Sequence, residues 1–241
     1  ISSKPEQGIV YQGMVKEVNG EKIGFFGLTT AETEFIASPV DVKFKNYIDT
    51  AKKAVAAFEQ MGINKIVAVS HLGYNDNPNM DNDLLLAEHV DGIDVIVGGH
   101  SHTQLDEPTI IEKDEPTVIV QTGEYLNNLG KLNVSFDENG VVKRANGQLI
   151  ELGEYAEDAG AVEILKPYKA KVVEVEQTEI GVYLEKELEQ GRDGGDITKR
   201  SVRKNETNLG YVIADGMLAK AKEIGAKSYN KNVVMALTNG G

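Results

Sequence analysis

Two short apolar runs, IVAV at 66–69 and VIV at 95–97, are separated by the polar loop GYNDNPNMDND and a helical stretch centred on LLLAEHV. Both runs have strand length, and strand, helix and strand in that order pair in parallel through a right-handed crossover. The chain is therefore expected to be α/β, with its binding site at the carboxyl ends of the strands. His71 closes the first run, and His100 and His102 follow the second behind Gly98-Gly99. Three of the four histidines thus fall on one sheet edge.

The flanking segments extend this pattern. Residues 9–30 hold two β-rich runs joined by Asn19-Gly20, a dipeptide that tolerates positive φ at both centres of a tight hairpin turn. Ile48, Ala51, Val55 and Phe58 repeat at helical spacing within 47–61, and Gly62 supplies the stop. Residues 117–152 read as several strands with Asn-Gly turns and close a first domain, set at 1–155. An acidic stretch at 156–177, with Pro167 inside it, reads as a kinked helical linker. A second domain, 178–241, contains a helix marked by Leu209, Ile213, Met217 and Ala221 and ending at Gly225, then a buried strand in VVMALTNGG.

A formal net charge of -13 disfavours long nucleic acid and anionic membrane surfaces. A small anionic substrate stays possible, since bound metal ions and a few arginines reverse the potential inside a cleft. No apolar run approaches the length of a membrane span. The absence of cysteine removes disulfides and thiolate ligands.

A neutral imidazole is a common nitrogen ligand for zinc, manganese or iron, and His-x-His behind a flexible Gly-Gly lets both rings approach one cluster. In hydrolytic pairs the two metals lie about 3.5–4 Å apart, so His100 and His102 are able to serve one ion each. His89, on a helix away from the strand tips, reads as a surface or structural residue. Asp94 starts the strand whose far end carries His100, about 20 Å away in extended chain, and so is expected outside the site. Asp76 and Asp106 follow the histidines in loops, either as ligands or as solvated acids. No acid is clearly placed to bridge two cations.

VSHLGYNDN, DVIVGGHSHT, ETNLGYVIADGM and ALTNGG, with GEKIGFFGLTT near the start, together resemble the bacterial 5'-nucleotidase family of calcineurin-like metallophosphoesterases. The resemblance implies that the intact protein hydrolyses a 5'-nucleotide to nucleoside and phosphate, with the family's UDP-sugar hydrolases and 2',3'-cyclic-nucleotide phosphodiesterases as the alternative activities. The resemblance implies a four-layer α/β/β/α domain, lacking its N-terminal part here, then a helical linker and the start of an α+β substrate-binding domain. It also implies a dinuclear site with divalent manganese, zinc, iron or cobalt: His71 and His100 on one metal, His102 on the other. Arg203, in SVRKNETNLG, would bind phosphate and Asn239, in LTNGG, would contact substrate. The family's Asp-x-His, Gly-Asp and Gly-Asn-His motifs, which carry the other ligands and the catalytic histidine, are absent, so no residue here is assigned a catalytic role. The 241 residues alone are expected to hydrolyse nucleotides negligibly. The resemblance places the intact protein outside the cell: free, wall-associated or periplasmic. The competing class is a noncatalytic metal- or nucleotide-binding surface module.

Overall fold

The computed structural model describes residues 1, 9–37, 39, 41–75, 81–153, 155–179, 181, 183–189, 202 and 205–238. Its elements run β1 (Met14–Val18), β2 (Glu21–Thr29), α1 (Thr33–Ile36), α2 (Tyr47–Glu59), β3 (Ile66–His71), α3 (Asp83–His89), β4 (Val95–Val97), β5 (Thr109–Ile111), β6 (Thr117–Val120), β7 (Asn128–Phe136), β8 (Val142–Glu151), α4 (Ala159–Glu176) and α5 (Asn208–Tyr229). They fall into two compact units, Ile1–Glu157 and Asp158–Gly241.

In the first unit the strand order is β1-β2-β3-β4-β6-β5. The four inner strands are parallel, as the strand–helix–strand pattern requires, and β1 and β5 close the edges antiparallel. Alternation along the strands divides the core in two. On one face Phe26, Ile66, Ala68, Ile96 and Ile119 meet Ala51, Val55 and Phe58 of α2 and Leu86 and Ala87 of α3. On the other, Val95 and Val118 meet Val142, with Leu132, Val134 and Phe136 around them, so the β7-β8 hairpin lies against the sheet. Three of the four expected layers, helix, sheet and sheet, are present among the described residues of this unit.

Local signals behave as their chemistry dictates. Asn19 and Gly20 take φ of 52° and 86° between β1 and β2, and Gly62, at φ 72°, follows α2. Asn46 and Asn82 cap α2 and α3 by accepting from Asp49 and Leu85 N–H. Asn146-Gly147, expected as a turn, instead lies inside β8. A Cβ on Gly147 would come within 2.7 Å of Pro108, so this glycine serves close approach rather than chain reversal.

In the second unit Asp158 caps α4, which continues through Pro167, and Thr207 caps α5. Two expectations need correcting here. The α5 helix passes Gly225 and ends at Asn230, whose φ of 49° provides the left-handed cap. Residues 230–238 form no strand, and Val234, Met235 and Leu237 are exposed: an apolar run becomes a buried strand only where a neighbouring strand pairs with it, and none does so among the described residues.

Asp94 is 7% exposed and ties β3 to β4 by accepting the Ile66 N–H at 2.7 Å through its side chain while donating its own N–H to the Ile66 carbonyl. Burial pushes its carboxyl up to about 7, assisted by Glu115 and opposed by the Ile66 N–H and Lys65. Between the ordinary carboxylate value and about 7 the folded chain therefore keeps a proton that the unfolded chain releases, and stability falls as pH rises through that window. Asp94→Asn retains the acceptor and removes the charge. It should raise the melting temperature at pH 8, with each pKa unit worth about 1.4 kcal/mol, and lose most of that advantage at pH 4. An equal shift at both pH values in thermal unfolding would contradict this origin.

Candidate metal centre at the strand tips

The β3 pleat turns Ser70 inward, where it is buried, and His71 outward to the opposite face. The Ser70 hydroxyl donates to the Asp83 carboxylate at 2.5 Å and accepts from Leu72 N–H at 3.2 Å, while Asp83 N–H donates to the Gly73 carbonyl. These contacts fix the chain on both sides of His71. Beyond β4 the backbone passes close to the same groups. A Cβ on Gly98 would lie 2.3 Å from Asp83 Oδ2, and one on Gly99 would lie 3.1 Å from His71 Nδ1. The Gly-Gly pair is therefore what allows the second strand tip to reach the first.

The result brings His71 and His100 together, with ring centroids 5.2 Å apart in an edge arrangement. His102 lies beside Tyr125, with centroids 5.8 Å apart. His100 and His102 have φ of 75° and 55°, left-handed conformations that are rare for residues with a Cβ and cluster at functional loops.

Each of these two imidazoles meets a carboxylate that sequence reading missed: His100 Nε2 lies 2.9 Å from Glu32, and His102 Nδ1 lies 2.6 Å from Glu124. A carboxylate only accepts, so in the neutral rings His100 carries its proton on Nε2 and His102 on Nδ1. Their lone pairs then sit on Nδ1 and Nε2 respectively, the pattern by which outer carboxylates orient metal-binding histidines. Two facing imidazoles, one of them oriented by an acid, suit a divalent cation as part of its donor set. Among the described residues no three His, Asp or Glu side chains form a complete cage.

Gln121, at the end of β6 and 2% exposed, accepts from Thr103 N–H at 2.6 Å and from the Ser101 hydroxyl at 3.2 Å, bracketing His102. Tyr74 N–H donates to Ser101, joining the loop after β3 to the loop after β4. The Thr30 hydroxyl and the Ala31 N–H both donate to the Asp81 carboxylate, which fixes the chain just before Glu32. None of these contacts has a local signature, because each spans 18 to 51 positions.

The described residues among the remaining candidates make their contacts elsewhere. Asp94 lies at the opposite end of its strand, as expected. His89 is exposed on α3 and bonds the Leu85 carbonyl through Nδ1. Asp106 accepts from Gln104 in an exposed pair. Asp76, Arg203 and Asn239 lie outside the described residues.

No protein-family model matches the chain. It is 39% identical over 244 residues to the trifunctional nucleotide phosphoesterase YfkN of Bacillus subtilis, covering 99% of this chain and 15% of that protein. It is 29% identical to the 5'-nucleotidase of Diplobatis ommata, over 94% of this chain and 40% of that one. Among solved structures, the 5'-nucleotidase precursor of Thermus thermophilus superimposes with a TM-score of 0.69 at 34% identity, over 91% of this chain and 44% of that chain. The chain is a partial-length relative of the 5'-nucleotidase family. It spans less than half the length of each of these proteins.

Replacing Gln121 by Met should leave the half-buried Thr103 N–H without its side-chain acceptor and destabilise the protein by about 1 kcal/mol. For a chain of this size that lowers the melting temperature by roughly 2–4 °C per kcal/mol. Unaltered thermal unfolding would show that Gln121 does not hold the His102 loop.

Proposed function

We propose that the intact protein carrying this chain hydrolyses nucleotide phosphate esters, converting a 5'-nucleotide to a nucleoside and phosphate. The observation that carries the reading is the edge-on pair of His71 and His100 on adjacent parallel strand tips, in a chain related to nucleotide phosphoesterases. Two divalent cations, when bound, would polarise the phosphoryl group and supply a nucleophilic hydroxide. His71 and His100 would hold one ion, the latter through Nδ1 with Glu32 fixing its ring, and His102 the other through Nε2 with Glu124 behind it. Ser70, Asp83 and Gln121 hold the chain on either side of those histidines.

Arg203 is proposed to fork onto the phosphate and Asn239 to contact the substrate, both by family resemblance. The substrate is a small anionic nucleotide rather than a long nucleic acid, in keeping with the net charge of -13. Among the described residues no helix is long and apolar enough to cross a membrane, and we place the intact protein outside the cell by resemblance. Action on several nucleotide esters is the second reading, favoured by similarity to a phosphoesterase named trifunctional. The 241 residues alone, with no complete metal cage among those described, are proposed to release negligible phosphate.

His100→Ala in the intact protein should lower bound metal, measured by mass spectrometry, and phosphate release from AMP together. The loss should exceed the roughly 10–100-fold that follows removal of a residue supporting a metal ligand. Unchanged metal content would remove His100 from the ligand set. Chelation should abolish activity and added divalent cation should restore it; activity that persists after complete metal removal would contradict the reading.

A further inference from the structure

The polar stretch before α3 ends in Asp81-Asn82-Asp83, and all three residues are buried, at 2%, 1% and 0% exposure. Polar groups so far from water must be held by hydrogen bonds. Asp83 takes the Ser70 hydroxyl and Asn82 caps α3, which ties the stretch to β3 and to its own helix. Asp81 reaches the other way, to the segment after β2. Its Oδ1 accepts the hydroxyl of Thr30, 51 positions away, and its Oδ2 accepts the Ala31 N–H, each at 2.8 Å. Thr30 is buried as well. Its N–H donates to the His71 carbonyl at 3.0 Å, and its hydroxyl oxygen accepts the Glu32 N–H at 3.1 Å. Glu32 then meets His100 Nε2 at 2.9 Å. A continuous hydrogen-bonded chain therefore runs from Asp81 to the backbone of one histidine of the candidate pair and to the ring of the other, with no hydrogen bond from Asp81 itself to either imidazole among the described residues.

We propose that Asp81 is a positioning residue for the candidate metal centre: it fixes the segment that sets Glu32 against His100, and so raises the affinity of the His71–His100 pair for a divalent cation that it does not touch. The inference rests on the function proposed above and adds to it a residue two hydrogen bonds behind the acid that orients the ring. A segment already ordered in the metal-free protein loses less conformational freedom when the ring takes up its ligand geometry, which is how outer contacts strengthen a site.

The test is a double-mutant cycle on the metal-free intact protein, with zinc alone as the probe and a chromogenic chelator as its competitor. An amide has a single acceptor oxygen, so Asp81→Asn keeps one contact and turns a donor against the other. Glu32→Ala should weaken zinc binding about 10–100-fold, and Asp81→Asn several-fold. Added to Glu32→Ala, Asp81→Asn should weaken it no further, because its effect passes through Glu32. Thr30→Val should reproduce the Asp81→Asn loss and Thr30→Ser should keep the original affinity, each measured in protein shown by circular dichroism to be folded, well below its melting temperature. Unchanged affinity in folded Asp81→Asn or Thr30→Val overturns the inference, and so does an equal further loss in the Glu32→Ala background. Failure of both variants to fold also overturns it, because the contacts would then serve the fold alone. If the unaltered protein binds no zinc, the function proposed above fails and this inference fails with it; zinc binding that survives these substitutions undamaged removes the inference alone.

Discussion

The geometry of the strand tips depends on one close approach. Gly98 lies against the Asp83 carboxylate, which in turn holds the Ser70 hydroxyl one residue before His71. A side chain at position 98 would crowd Asp83 and Gln121, and one at position 99 would crowd Ser70 and His71 of β3. The buried hydrogen bonds around this point carry weight beyond their number, since groups removed from water lose about 1–3 kcal/mol each when left unpaired. Gln121 extends the same arrangement to the His102 loop, and Asp81 extends it to the segment bearing Glu32. The imidazoles are thus fixed by inward-facing polar side chains on neighbouring residues, while the apolar core beneath sets only the height of the strands.

Much of this edge was legible in the sequence because it obeys short-range rules. Apolar runs with a helix between them specify parallel pairing, Asn19-Gly20 specifies a hairpin, and histidines just after such runs must lie at one sheet edge. The missed parts are long-range or depend on an absent neighbour. Glu32 lies 68 positions from the imidazole it orients, and Glu124 stands in a turn that no local pattern marks as part of a site. Asn146-Gly147 carries a turn signature but is absorbed into β8, because pairing along nine register positions with β7 outweighs a local preference. The segment at 233–238 has strand composition without a strand to pair with among the described residues. Composition proposes a strand; hydrogen-bonding partners decide whether it forms.

Backbone strain follows the same division. The turn at Asn19-Gly20 lies far from the histidines and uses residues that adopt positive φ readily. His100, His102, Tyr125 and Leu126 adopt positive φ with side chains that resist it, and all four lie at or beside the candidate centre. Each carries an energetic penalty of order 1–3 kcal/mol that the buried polar contacts around it must offset. The metal site proposed above needs imidazoles pointing outward from a rigid edge, and that requirement would give the strain a reason that fold stability alone does not.

The central claim is that His71 and His100 share a divalent cation. Anomalous diffraction from zinc-loaded crystals of the intact protein tests it most directly. The account predicts a peak about 2.0–2.2 Å from a ring nitrogen of each histidine, with the His100 contact made by Nδ1. A metal bound elsewhere with both rings unliganded, or a His100 contact through Nε2 with Glu32 displaced, would contradict it.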